Sequence, residues 1–122
     1  MSEDRYAEGM KVRREVLGDD YVDQAIERTS EMTAPFQDLA TRFAWGSVWA
    51  REGLDRRMRS AITLALLAAL GRDAELALHL RAARRNGLSD EEIGEVLLHT
   101  GVYAGVPATN AALAIAQRVL EE

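Results

Sequence analysis

Helix start and stop signals recur along this 122-residue chain, and they constrain its fold more than any other feature. Gly18 and Gly71 stand where segments with helical apolar spacing end, as left-handed C-terminal glycines do. Asp55 precedes one such segment as an N-cap, and Ser89 followed by Glu92 matches a capping box. No run alternates as a strand would. The sequence therefore predicts an all-α bundle of about seven helices with short connections.

The expected helices differ in polarity. Asp19 or Asp20 is expected to cap the second helix, and Pro107 to open the last. The fourth helix is apolar nearly all round from Ala61 to Leu70, so it needs cover on every side. Partner subunits are expected to supply part of that cover, which predicts an oligomer. The approximate bounds are 3–17, 20–31, 33–53, 55–70, 73–86, 89–103 and 107–119.

Length and composition exclude several classes of protein. The chain has room for one domain, 1–122, with one core. Its formal net charge of −5 argues against binding to nucleic acid or to an anionic membrane. Without cysteine it has no disulfides and no thiol nucleophile. Two histidines are too few for a multi-histidine metal site in one subunit, so we expect no metal and no cofactor. The acidic start and the short apolar runs favour a cytoplasmic protein.

Two histidines stand four residues after a glutamate, one helical turn away. Glu75 is expected to orient His79 and to raise its pKa, as a general acid near neutral pH requires. From spacing alone, an ordinary surface pair is the stronger interpretation. Glu95, His99 and Tyr103 repeat the geometry. There a core histidine is favoured, with a second acid site as the alternative.

Aromatic and basic residues supply further candidates for a binding site. Trp45 and Trp49 share a helical stripe, which is typical of core or interface packing, although they could also wall a pocket. Most arginines are expected to be solvated. An arginine that pointed inward near His79 would suit binding of a carboxylate.

Four stretches, in this order and spacing, resemble the carboxymuconolactone decarboxylase family, and the tryptophan-bearing helix is similar as well. They are Leu-Asp-Arg-Arg-Met-Arg-Ser at 54–60, Glu-Leu-Ala-Leu-His-Leu-Arg-Ala-Ala at 75–83, Asn-Gly-Leu-Ser-Asp-Glu-Glu-Ile at 86–93 and Tyr-Ala-Gly-Val-Pro-Ala-Thr-Asn at 103–110.

The resemblance implies an alkylhydroperoxidase-D-like helical fold that assembles as trimers or hexamers. The peroxidase branch of the superfamily carries two cysteines where this chain has Arg72 and Glu75, and a glutamate where it has Ser60. Thiol peroxidase chemistry is thereby excluded. His79 is the one residue of that catalytic set that this chain retains. The resemblance therefore favours a functional role for His79 over an ordinary surface pair with Glu75.

The implied reaction is cofactor-free decarboxylation of 4-carboxymuconolactone to 3-oxoadipate enol-lactone, in the β-ketoadipate pathway of protocatechuate catabolism. In this interpretation His79 is the acid or the oxyanion donor, and Glu75 orients it. Arg59 or Arg81 would hold the spectator carboxylate, and Trp45 and Trp49 would form an apolar wall.

Two alternatives stay open at this stage. A family member of the same fold could act on another lactone or oxo-acid. A non-catalytic oligomeric binding protein would leave Glu75 and His79 in open solvent.

Overall fold

The computed structural model describes residues 2–122, and the side chains from residue 4 onward. Over this range the chain is helical and contains no strand, which confirms the prediction of an all-α fold with seven helices. None of these helices has the length and apolarity needed to cross a bilayer. The elements are α1 (Ser2–Leu17), α2 (Asp19–Glu27), α3 (Ala34–Ala40) with a π-helical continuation (Thr41–Trp49), α4 (Arg56–Leu70), α5 (Asp73–Arg85), α6 (Asp90–Ala104) and α7 (Val106–Leu120).

The helices form two compact units, one ending at Leu54 and one beginning at Asp55. In the first unit α1 packs along the π-helical segment, and α2 packs on α1. In the second unit α4, α5, α6 and α7 pack around one apolar core. The sequence predicts a single domain, and this remains a prediction. One cooperative unfolding transition that includes both units would support it. The most deeply buried core side chains of the second unit are Leu64, Leu76, Leu80, Ile93 and Leu97.

Most of the predicted helix ends are confirmed. The Asp55 carboxylate accepts a hydrogen bond from the Met58 N–H at 2.8 Å. Ser89 and Glu92 form the reciprocal capping box, and Gly71 ends α4 with a left-handed φ of 71°. These contacts satisfy backbone groups that a helix end leaves unpaired.

The start and end of α2 differ from the prediction. Gly18, with φ 92°, is the N-cap, and neither Asp19 nor Asp20 makes a side-chain cap. Both aspartates lie in the first turn, where their charge favours the positive end of the helix dipole. The helix ends at Glu27 rather than near residue 31.

The π-helical segment was not predicted. It follows α3 without a break, and the sequence carries no proline or glycine at the junction. It also ends at Trp49, short of the predicted stop near Gly53. The Thr41 hydroxyl donates to the Gln37 carbonyl, and the Ser47 hydroxyl donates to the Arg42 carbonyl five residues back. The wider turn changes which side chains share a face, so a 3.6-residue pattern could not place them.

Close approach of α1 to the π-helical segment depends on Gly9. A Cβ at this position would lie 2.1 Å from the Thr41 carbonyl oxygen, a backbone atom that cannot turn away. We therefore expect Gly9→Ala to lower the free energy of unfolding by about 1–3 kcal/mol, as overpacking does.

Gly94→Ala is the matched control, because a Cβ there meets nothing within 4 Å. It should leave stability unchanged or raise it by up to about 1 kcal/mol through helix propensity. Urea unfolding followed by circular dichroism measures both variants. Equal urea midpoints for Gly9→Ala and the parent chain would contradict the packing described for α1.

Candidate functional site

His79 lies beside the core on α5. Leu76 and Leu80, its neighbours on this helix face, are 1% and 0% exposed, and His79 itself is half-buried. Burial lowers the pKa of His79 to about 4, and this outweighs the charge of Glu75, which raises it. A charged imidazole loses hydration at such a position. The ring is therefore neutral at pH 7, with one nitrogen that donates and one that accepts.

Glu75 lies one turn before His79 and is exposed. Its charge acts on the pKa of His79 in the predicted direction but is the smaller of the two effects. The prediction of a histidine with a raised pKa, suited to donate a proton near pH 7, is therefore wrong in sign. A neutral imidazole suits a different role, which is hydrogen-bond donation to an oxygen that gains negative charge.

His99 is not a core residue. On α6 the buried positions are Ile93, Leu97 and Thr100, and His99 falls outside that stripe and is exposed. Its ring centroid lies 5.4 Å from that of Tyr103, which is 82% exposed. The prediction failed because two flanking leucines suggested burial, whereas only Leu97 points into the core.

An open apolar groove of about 810 Å³ runs between α4 and α6. Its large apolar side chains are 42–82% exposed, so the fourth helix is covered on one side only within a single chain. We call this surface the α4–α6 face. Its lining includes Ile62, Leu66, Leu98, Val102 and Tyr103, small alanines, and the polar residues Glu95 and His99.

A part-buried hydrogen bond joins α4 to the C-terminal end of α5. The Asn86 side-chain amide donates to the Ser60 hydroxyl at 3.1 Å, and Ser60 is 2% exposed. His79 lies seven residues before Asn86, which is roughly 10 Å along the helix axis. Arg59 adjoins Ser60 and is half-buried.

The other candidate arginine is held elsewhere. The Arg81 guanidinium donates two hydrogen bonds to the Glu122 carboxylate at 3.0 and 2.9 Å, and both side chains are half exposed. Arg81 also lies two positions after His79, so it projects from a different side of α5. The position of Arg81 on α5 therefore makes it the weaker candidate for a carboxylate ligand near His79. Similar surface pairs join Arg84 to Asp90 and Arg57 to Glu92.

Trp45 and Trp49 lie on the π-helical segment of the first unit. Their ring centroids are 5.1 Å apart, with the planes inclined by 33°. Trp45 is 8% exposed and Trp49 is half-buried. Trp45 therefore serves the packing of its own unit, and a role of either ring as a pocket wall remains a prediction.

Sequence reasoning proposed His79, Glu75, Arg59, Arg81, Trp45 and Trp49 as site residues. It noted Ser60 only as the position of the peroxidase glutamate, and it used Asn86 only as a helix end. Nothing in local spacing could reveal the contact between these two residues, because the partner of Asn86 lies 26 residues away. The apolar residues of α4 did carry a signal for the groove. It was interpreted only as a need for cover, not as a lined cavity.

These features define a small all-helical protein with a neutral, half-buried histidine and no thiol. The chain belongs to the carboxymuconolactone decarboxylase family, whose model matches residues 34–118.

Comparison with individual proteins agrees with this assignment. The chain is 47% identical to a 4-carboxymuconolactone decarboxylase of Acinetobacter baylyi, over 98% of this chain and 90% of that protein. It is 43% identical to a nitrosuccinic acid decarboxylase of Metarhizium robertsii, over 96% of this chain and 82% of that protein. A 4-carboxymuconolactone decarboxylase of Pseudomonas putida matches at 48% identity over 34% of this chain and 88% of that protein.

The burial of His79 predicts an unusual titration. In the folded protein its ring signals, followed by proton–carbon NMR, should move with a midpoint near pH 4. The chain has two histidines. The ring signals that disappear in His79→Gln therefore belong to His79, and those that remain belong to His99. A midpoint for His79 at or above the ordinary 6.5 would contradict the burial argument.

The same shift links folding to pH. Because the pKa of His79 is lower folded than unfolded, the unfolded chain takes up this proton first as pH falls from about 6.5 to about 4. This contribution to stability is fully present above about pH 6.5 and is lost progressively as the pH falls from there to about 4. His79→Gln should therefore flatten the fall in stability between pH 7 and pH 4.5.

Proposed function

We propose that this protein decarboxylates 4-carboxymuconolactone to 3-oxoadipate enol-lactone, without a cofactor, in the catabolism of protocatechuate. The observation that carries the proposal is the near full-length similarity to a protein named for that reaction. The neutral, half-buried imidazole of His79 supports it, because this group matches what the chemistry requires.

The reaction needs an electron sink rather than a nucleophile. When the bond to the departing carboxylate breaks, its electron pair moves through the ring double bond toward the lactone carbonyl, and carbon dioxide leaves. The carbonyl oxygen becomes an oxyanion, and a ring carbon then takes up one proton. A protein accelerates this by donating a hydrogen bond to the oxyanion and by limiting the hydration of the carboxylate that leaves.

His79 is proposed as the oxyanion donor. A neutral imidazole N–H gains more from a developing negative charge than it gives to an uncharged carbonyl, so it favours the transition state. The N–H proton stays on the ring throughout, and the proton that the ring carbon takes up comes from solvent. Glu75 is proposed to orient the ring.

The remaining contacts are assigned by charge and burial. Arg59 is proposed to bind the carboxylate that stays on the substrate, since a guanidinium pairs with a carboxylate in two parallel hydrogen bonds. Arg81 is the weaker candidate because it projects from a different side of α5 than His79. Trp45 and Trp49 are proposed to exclude water from the apolar side of the substrate.

Nitrosuccinate is the second candidate substrate, because one relative is named for it. A nitro group accepts electrons as a lactone carbonyl does, so loss of carbon dioxide beside it also leaves negative charge on oxygen. The same donor could serve both molecules. Purified protein incubated with each compound, with carbon dioxide release followed over time, separates the two candidates.

Release from 4-carboxymuconolactone at a kcat/KM at least 100-fold above that for nitrosuccinate is the expected result. The reverse preference would replace the proposed substrate but keep the class of reaction. Release from neither compound, by a folded protein, would favour a family member with a different substrate or a binding protein.

We further propose that the protein acts as a homo-oligomer in the cytoplasm, with the α4–α6 face covered by a second copy. The large exposed side chains of this face each present on the order of 100 Å² of accessible surface. Together they offer most of the roughly 800 Å² per partner that a stable interface buries. Its polar residues run from an acceptor, Glu95, to two donors, His99 and Tyr103. A two-fold axis near Leu98 would place each acceptor against a donor of the other copy.

Replacement of the site histidine should lower turnover more than replacement of Glu75 or His99. We expect His79→Ala to lower kcat/KM by roughly two to four orders of magnitude, because the oxyanion loses its donor. Glu75→Gln should lose less, since the ring remains. His99→Ala, in the same assay, should keep turnover per folded protein within a few-fold of the parent.

Circular dichroism on each variant shows that helix content is retained. If His99→Ala abolishes turnover in a folded protein while His79→Ala keeps it, the assignment is reversed and the residues of α6 supply the donor.

Assembly should depend on the α4–α6 face. Val102 is 73% exposed, and Val102→Glu should lower the mass in solution at least twofold, measured by light scattering after size-exclusion chromatography. Leu113→Glu is the control, because Leu113 is an exposed apolar residue of α7 outside the groove. A monomeric parent chain, or a Val102→Glu variant with the parent mass, would refute this interface.

A further inference from the structure

A buried guanidinium without an anionic partner lies in the first unit. Arg13 on α1 is 7% exposed, and its Nε is fully buried and makes no hydrogen bond. Its pKa is lowered chiefly by burial, and the groups whose charges bear on it are Tyr21, Tyr6 and Arg14. Arginine nevertheless stays charged at neutral pH. Within residues 4–122 no carboxylate forms an ion pair with it.

The neighbouring arginine shows what a structural partner looks like. Arg14 donates to the carboxylates of Asp19 at 3.0 Å and Asp23 at 2.8 Å. Arg13, one residue earlier and far more buried, has no such pair. An unpaired buried charge is destabilising, so an apolar side chain would serve packing alone better than Arg13 does.

Arg13 faces a cavity of about 590 Å³ bounded by α1, the end of α2 and α3. The cavity has a mixed lining. Met10, Ile26 and Ala34 form an apolar part, while the Tyr6 hydroxyl and the Gln37 amide add hydrogen-bonding groups. Such a volume suits a small organic molecule.

The charge of the cavity is positive by one unit. Asp38 and Arg42, which also line it, neutralise each other across 2.9 Å, and the Arg42 guanidinium lies 5.2 Å from the centre of the Tyr6 ring. The positive charge of Arg13 is therefore not balanced by another residue that lines the cavity. A ligand that carries one negative charge at this end would balance it.

We propose that this cavity binds the carboxylate of a small organic acid, with Arg13 as its principal ligand. The guanidinium fork matches a carboxylate in geometry and charge, and Gln37 can donate a further hydrogen bond. The apolar part of the cavity accommodates the carbon skeleton. This inference does not depend on the proposed decarboxylation, since it rests on the surroundings of Arg13 alone.

Succinate is a suitable probe, and succinamide is its uncharged counterpart. Isothermal calorimetry on the full chain, at constant ionic strength set with sodium chloride, should show binding of succinate at least tenfold tighter than binding of succinamide. Arg13→Met should weaken succinate binding at least tenfold. Arg14→Met, the adjacent control outside the cavity, should leave it unchanged.

Stability without ligand separates a binding role from a structural one. Because Arg13→Met removes an unpaired buried charge, its urea midpoint should equal or exceed that of the parent chain. Arg13→Lys, which keeps the charge but loses the fork, should bind succinate more weakly and remain folded.

Three results would overturn the proposal. The first is equal binding of succinate by the parent chain and Arg13→Met, or no binding by the parent. The second is a clear loss of stability in Arg13→Met without ligand, which would make the residue structural. The third is a fall in the mass of the assembly in Arg13→Met, which would identify a carboxylate of a second copy as the partner. Binding is measured without turnover, so a failed decarboxylation assay does not decide it.

Discussion

Desolvation of one imidazole ring determines much of the chemistry open to this chain. His79 lies beside Leu76 and Leu80 on α5, and that position keeps the ring neutral across the physiological range. A charged histidine at the same place would be a proton donor, and it would also bind the substrate carboxylate in the ground state. A neutral one responds mainly to charge that forms during the reaction. The packing of α5 in the core thus supports the role that is proposed for the residue.

Local chemistry was sufficient to predict most of the fold. Asp55, Gly71 and the Ser89–Glu92 box each act through atoms within four residues, so their signals can be read from the sequence. The π-helical segment could not be predicted, because its turn is wider than the period used to detect helices. The packing role of Gly9 could not be predicted either, because the backbone that it approaches belongs to residues more than 30 positions away.

The identity of the site residues stays a prediction, and the direction of the pKa shift of His79 was predicted wrongly. The motif led to His79, but the sign of its pKa shift depends on how far the ring is removed from water, which spacing does not reveal. For His99 the apolar neighbours Leu97 and Leu98 gave a misleading signal, as only Leu97 is buried. Arg13 was missed entirely. In the sequence it is one of two adjacent arginines, and only the structure distinguishes the paired residue from the buried one.

The dependence of kcat/KM on pH tests the central claim most directly. If His79 works as a neutral donor, kcat/KM for carbon dioxide release should stay level from pH 7.5 to about pH 5 and decline only as the pH nears 4. A protonated working form would give the opposite behaviour. A rate that rises as the pH falls through 6.5, or that halves near 6.5, would contradict the account.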